Sequence, residues 1–209
     1  MFDGILFDLD GTLWNAVSGV AESWNQTLAR EGVDRVLTEE ELFPCMGMLL
    51  PDIGARLLPN LPRERMEELI ELCCTDENAY LAQHGAILYP GAEEALSALS
   101  KKYPLFIVSN CQSGYIEAFF QGSGMGKYFT DFESAGNTGL TKAENIALVV
   151  KRHGLKKPVY VGDTALDCAS AQGAGVPFIH AAYGFGKVED VPAIHCLGEL
   201  EKLLEILDA

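Results

Sequence analysis

Four short apolar runs, Ile5-Leu6-Phe7, Leu105-Phe106-Ile107-Val108, Val159-Tyr160-Val161 and Val176-Pro177-Phe178-Ile179, most constrain what this chain can become. They are too short for helices and lack the alternation of a strand with one wet face. A run that is apolar at every position must be covered on both sides, the condition of a parallel strand between helical layers. A weaker candidate lies around Phe129 to Ser134. Helical patterns separate the runs: Glu93 to Lys101, Ser113 to Gln121, Ala143 to His153, Leu166 to Ala174 and a final one from Glu199 to Leu207. Strand then helix, repeated, predicts an α/β fold built on a doubly wound parallel sheet.

The alternation breaks once. Residues 15–89 are almost entirely helical in pattern and too long for a strand-to-helix loop. Ser18 is read as the N-cap of a helix reaching Arg30. Pro62 is read as the first residue of another, with Met66, Leu69, Ile70, Cys73, Cys74 and Tyr80 or Leu81 at helical spacing. The expected organisation is a core of residues 1–14 and 90–209 with an α-helical subdomain, 15–89, inserted into it. The return at Tyr89-Pro90-Gly91 has the composition of a hinge or of an ordinary helix-initiating turn.

Charge narrows the partners. With 30 acidic against 15 basic residues, the net charge of −15 repels nucleic acid and anionic membranes. The one dense basic stretch, Lys151-Arg152-His153 to Lys156-Lys157, reads as the polar end of a helix and its exit loop. No apolar stretch reaches the roughly 18–20 residues of a membrane span, and a first motif so near the start leaves no room for a signal peptide. A cytoplasmic protein is expected. The cysteines at 45, 73, 74, 111, 168 and 196 form no CxxC pair and read as mostly buried small hydrophobes.

Chemistry gathers at the ends of the strands. Asp8-Leu9-Asp10-Gly11-Thr12 follows the first run, Ser109-Asn110 the second and Gly162-Asp163-Thr164-Ala165-Leu166-Asp167 the third, with Lys142 opening a helix. Parallel strands bring their carboxyl ends to one crevice, where ligands of open α/β sheets bind. In extended chain, residues i and i+2 share a side, so Asp8 and Asp10 are expected to face that crevice together, joined by Asp163. Carboxylates so gathered need a cation, and hard oxygen ligands suit Mg²⁺. Asp8, Asp10 and Asp163 are the expected ligands, with Asp167 either orienting the ion and its waters or serving as a helix first-turn acid. Read as phosphoryl transfer, Asp8 attacks phosphorus and Asp10 donates, then accepts, a proton. Gly11, Thr12, Ser109, Asn110 and Lys142 are the expected phosphate-binding set.

"DLDGT", "IVSN", Lys142 and "VGDTALD" closely resemble, in order, the four motifs of the haloacid dehalogenase superfamily of hydrolases, in its phosphoglycolate phosphatase-like branch. The resemblance covers nearly the whole chain. It implies a Rossmann-like core, a helical cap over residues 15–89 that closes over the site, and re-entry into the core at "YPGAEEAL". Lys142 stands in "GLTKAENI", where many relatives have a Lys-Pro pair, and Asp10 is the residue that the family's dehalogenases lack. The reading is a Mg²⁺-dependent phosphatase of a small phosphorylated metabolite, acting through an aspartyl-phosphate. Alternatives are a phosphomutase of sugar phosphates and a non-catalytic phosphometabolite-binding regulator. The sequence leaves the oligomeric state open.

Other motifs fail on chemistry. "GSGMGKYF" lacks the first glycine and the hydroxyl of a Walker loop, with Gln121 and Tyr128 in their places, and reads as a helix C-cap. His195-Cys196 lacks the arginine of a cysteine phosphatase, and Lys202 stands there. His180 reads as structural. In the inserted segment, Met46 and Gly47 are candidates for substrate contact, and Trp14 for lining the mouth of the site or bracing the linker.

Overall fold

The computed structural model describes residues 1–208. The chain forms β1 (Gly4–Phe7) and β2 (Trp14–Asn15), then α1 (Val17–Arg30), α2 (Glu39–Leu42), α3 (Leu50–Leu57), α4 (Arg63–His84) and β3 (Ile87–Leu88). It continues through α5 (Ala92–Leu99), β4 (Leu105–Ser109), α6 (Tyr115–Ser123), β5 (Asp131–Ser134), α7 (Ala135–Thr138), α8 (Lys142–His153) and β6 (Pro158–Gly162). It closes with α9 (Ala165–Gly173), β7 (Phe178–Ala181), β8 (Ala193–Ile194) and α10 (Leu200–Leu207).

Six strands form one sheet in the order β5-β4-β1-β6-β7-β8, and every pairing in it is parallel. Alternation divides the apolar runs between two layers. Ile5, Phe7, Leu105, Ile107, Val159 and Val161 pack with Leu96 of α5, Phe119 of α6 and Leu200 of α10. Leu6, Phe106, Val108 and Tyr160 pack on the other face with Ile146 and Val149 of α8 and Ala171 of α9. Both faces are covered, which explains why the strands are apolar throughout. From central β1 the chain proceeds to β4 on one side and reaches β6 on the other, so the reversal of strand order, and the crevice it opens, lie at the carboxyl end of β1.

The run expected at Val176–Ile179 begins two residues later and reaches Ala181. Pro177 has no N–H for the ladder and contributes only its carbonyl, to the Tyr160 amide at 2.9 Å. The two-residue β8 is too short to leave a pattern. "GSGMGKYF" is a C-cap as read: Gly124, at φ +72°, ends α6. Arg152 and His153 at the end of α8 pair with Asp131, and Arg152 also with Glu133. Among the described residues no helix is long and apolar enough to cross a membrane. The cysteines are unpaired, with Cys196 exposed, Cys111 half-buried and the others buried.

Helices α1 to α4 leave and return through an antiparallel ribbon in which Trp14 faces Leu88 and Asn15 faces Ile87. Contrary to the expectation from the sequence, Ser18 does not cap α1. The helix begins at Val17, whose amide is taken by Asn15 Oδ1 at 3.1 Å, and Ser18 lies in its first turn. Pro62 precedes α4 as its N-cap rather than standing at its first position. Within the insertion α4 packs along α1 and against α3, and it also meets α6 of the sheet unit. That contact is close because Gly122 has no side chain: a Cβ there would stand 2.3 Å from the Leu81 carbonyl oxygen.

Candidate active site

Each charged residue of the crevice is set by the end of an element. Asp8 directly follows β1, Asp163 directly follows β6, and Ser109 closes β4. Lys142 is the first residue of α8, which starts there because Thr141 and Glu144 form a capping box. Thr164 and Asp167 form another at the start of α9. Lys142 Nζ donates to Asp8 Oδ1 at 2.9 Å and to Asp167 Oδ1 at 2.6 Å, with all three side chains buried. Asp167 serves as the helix first-turn acid considered for it, its Oδ2 accepting from the Thr164 amide and hydroxyl, while its Oδ1 accepts from the lysine.

Asp8, Asp163 and Asp167 each offer an oxygen, all within 4.8 Å of one another. Burial raises Asp8 from its ordinary 3.8 to about 6, with the Asp167 charge adding to it and Lys142 opposing. Burial likewise raises Asp163 to about 7, with Asp8 and Asp167 adding to it. Lys142 is held protonated: desolvation opposes its charge, but Asp167 and Asp8 outweigh it and raise its pKa. Three carboxylates thus face one ammonium. A divalent cation would balance the difference, and the all-oxygen donor set fits Mg²⁺.

Asp10 is not part of this cluster, contrary to the expectation that its carboxylate is a ligand beside Asp8. Its Oδ1 instead accepts from Trp14 Nε1 at 3.0 Å and from Tyr115 Oη at 2.8 Å. Burial raises its pKa well above the ordinary value; the Tyr115 bond opposes this, and the charges of Asp8 and Glu77 add to it. The group is a carboxylic acid disposed to keep a proton, and Oδ2 is left to carry it. Trp14 is wholly buried, edge-on to Tyr115 and Phe119, so it anchors Asp10 rather than lining a mouth.

Gly11 and Thr12 do not direct their amides at a phosphate. Gly11 N–H donates to the Trp14 carbonyl and Thr12 N–H to that of Leu9, while Thr12 Oγ1 lies 3.5 Å from Asp163 Oδ1. Glycine is required at 11 for conformation and space. Its φ is +82°, and a Cβ would stand 2.3 Å from Asp163 Oδ2. Ser109 and Asn110 line a cavity of about 60 Å³ together with Asp8, Asp10, Met46 and Gly47. Asn110 Nδ2 donates to the Gly47 carbonyl at 3.1 Å, which ties the inserted segment to the strand end. His180 supports the Asp163 backbone, its Nε2 lying 3.1 Å from that carbonyl oxygen.

Sequence reasoning missed Tyr115, Trp24, Gln112 and Glu77, which also line the cavity. Tyr115 left no signal, since an aromatic near a helix start reads as core. Glu77 left one: it interrupts the buried stripe Leu69, Ile70, Cys73, Cys74 and Leu81. Its Oε1 accepts from Gln112 Nε2 at 2.9 Å and its Oε2 from Trp24 Nε1. Burial raises Glu77 from 4.5 to about 7, against the lowering by these two bonds. The folded protein thus holds this proton more tightly than the unfolded chain, so the associated stability is complete below about pH 4 and lost by about pH 8. Glu77→Gln cannot titrate. Across that range the native protein should lose on the order of 3 kcal/mol relative to the variant, measured by urea unfolding at both ends without metal.

Fold and site together define an α/β protein with an aspartate, lysine and aspartate cluster at the switch point of its sheet, under a helical insertion. A family model described as haloacid dehalogenase-like hydrolase matches residues 5–181, and the chain belongs to that family. It is 27% identical to a phosphoglycolate phosphatase from Photobacterium profundum, over 99% of this chain and 96% of that one. It is 25% identical to one from Rhodospirillum rubrum, over 98% and 89%. A haloacid dehalogenase-like family hydrolase from Streptococcus pneumoniae has the same fold, with a TM-score of 0.83 at 22% identity and 97% and 98% coverage.

Proposed function

We propose that the protein is a Mg²⁺-dependent phosphomonoesterase that acts on a small phosphorylated metabolite through an aspartyl-phosphate on Asp8. The observation that carries this is the division of the two motif aspartates. Asp8 is held by Lys142 within the carboxylate cluster, whereas Asp10 is held apart by Trp14 and Tyr115 with its pKa raised. The phosphoglycolate phosphatases among its relatives support the reaction class.

Asp8 carboxylate attacks phosphorus as the bond from phosphorus to the alcohol oxygen breaks, and Asp10 gives its proton to that oxygen. Asp10, now a carboxylate, then takes a proton from the water that attacks the acyl phosphate, and Asp8 is released as carboxylate. Lys142 stays charged throughout and steadies the oxygen of Asp8 that it binds. Mg²⁺, held by Asp8, Asp163 and Asp167, would supply positive charge to the phosphate oxygens. Residues 15–89 serve in this reading as the cap that screens the site from bulk water.

Phosphate release from p-nitrophenyl phosphate is the test. Chelation should lower it at least about a hundredfold, and added Mg²⁺ should restore it. Equal release with and without the ion would overturn the metal assignment. Products of inorganic phosphate and free alcohol in equal amounts support hydrolysis, whereas return of the phosphoryl group to a sugar would identify a mutase.

A further inference from the structure

The cavity that reaches Asp8 and Asp10 has walls of a character that restricts the alcohol it can take. Val20, Leu42, Met46, Met48, Leu50 and Ile53 make it largely apolar. No lysine, arginine or histidine lines it among the described residues, and its one carboxyl group outside the reaction centre is Glu77. Glu77 is 4% exposed. Both of its contacts are donors: Trp24 Nε1 can only donate, and the Gln112 amide is oriented by giving Nε2 also to Asn78 Oδ1 at 3.2 Å. Both bonds favour a carboxylate and burial opposes it, and no cation in the cavity is paired with it. A buried charge without a counter-charge is costly, and a ligand that brings one is favoured.

Resting on the phosphatase reading above, we propose that the substrate is the phosphate monoester of a small amino alcohol, whose ammonium group pairs with Glu77 while the apolar walls enclose its carbons. The same wall disfavours an alcohol that ends in a carboxylate, because two negative charges would meet in a cavity with no cation between them. The pocket thus departs from the substrate that the names of its relatives suggest.

Aminoethyl phosphate, hydroxyethyl phosphate and phosphoglycolate share a two-carbon frame and differ in the terminal group, so they form a matched panel. With the native protein, kcat/KM should fall in that order, with at least about tenfold between the first and the last. Glu77→Gln should reduce that ratio at least about tenfold, through loss of aminoethyl phosphate turnover. Met46→Lys, which adds a cation to the wall and leaves Glu77 in place, should shift the ratio toward phosphoglycolate. The native panel needs no variant to fold. p-Nitrophenyl phosphate separates the two readings. If it is hydrolysed while phosphoglycolate equals or exceeds aminoethyl phosphate, or if Glu77→Gln leaves the ratio unchanged, the amino alcohol assignment is wrong and the phosphatase stands. If no ester is hydrolysed, both fall.

Discussion

Asp8→Asn should release phosphate at least about a thousandfold more slowly than the native protein, with Mg²⁺ present in both. The amide matches the carboxylate in shape, and its oxygen can still accept from Lys142, so the geometry of the pair is kept. What is lost is the anionic oxygen that forms the bond to phosphorus. Folding should not suffer, because burial disfavours the charge on Asp8 and raises its pKa to about 6. A folded Asp8→Asn protein that hydrolyses p-nitrophenyl phosphate at the native rate would place the nucleophile elsewhere. Phosphate trapped on the native protein by acid quench should be bound to Asp8 and absent from the variant.

Lys142→Met should cost stability as well as turnover. The lysine is the common partner of two buried carboxylates, Asp8 and Asp167, and its removal leaves both without their cation. Breaking a buried ion pair from one side costs about 3–5 kcal/mol, and urea unfolding of the metal-free protein at neutral pH should show a loss of that size. The pH dependence has a definite sign. Below about 6 Asp8 takes up a proton and no longer needs a counter-charge, so the deficit of the variant should shrink as the medium becomes acidic. Mg²⁺ should stabilise the variant more than the native protein, since it would balance the same carboxylates. A deficit that is small and independent of pH would mean that Lys142 is a spectator.

The strands legible from sequence were those with apolar residues at every position, since only coverage on both faces accounts for such runs. Those that were displaced or missed had weak patterns for stated reasons: Pro177 cannot donate to a ladder, and Ala193–Ile194 has only two residues. Among the site residues, Asp163 and Lys142 were legible because each stands at the end of a regular element. Glu77 belonged to a helix whose neighbouring positions are core, and nothing local says which part of the fold that face of α4 meets.

Residue type and order along the chain by themselves assigned Asp8, Ser109 and Asp163 to one crevice, because parallel strands bring their carboxyl ends together wherever they lie in sequence. Tertiary structure decided which oxygens meet. Asp8 and Asp10 line one cavity, but their carboxylates have different partners, because the chain does not stay extended beyond β1. The Leu9 carbonyl accepts the amides of Thr12, Leu13 and Trp14, Gly11 turns at φ +82°, and Asp10 is carried round to Trp14 and Tyr115. Asp167, about one helical turn into α9, takes the place in the carboxylate cluster that Asp10 leaves, because the Thr164 cap aims its free oxygen at Lys142. The direction of a side chain after a strand ends depends on turns and partners distant in sequence, and only the folded chain supplies them.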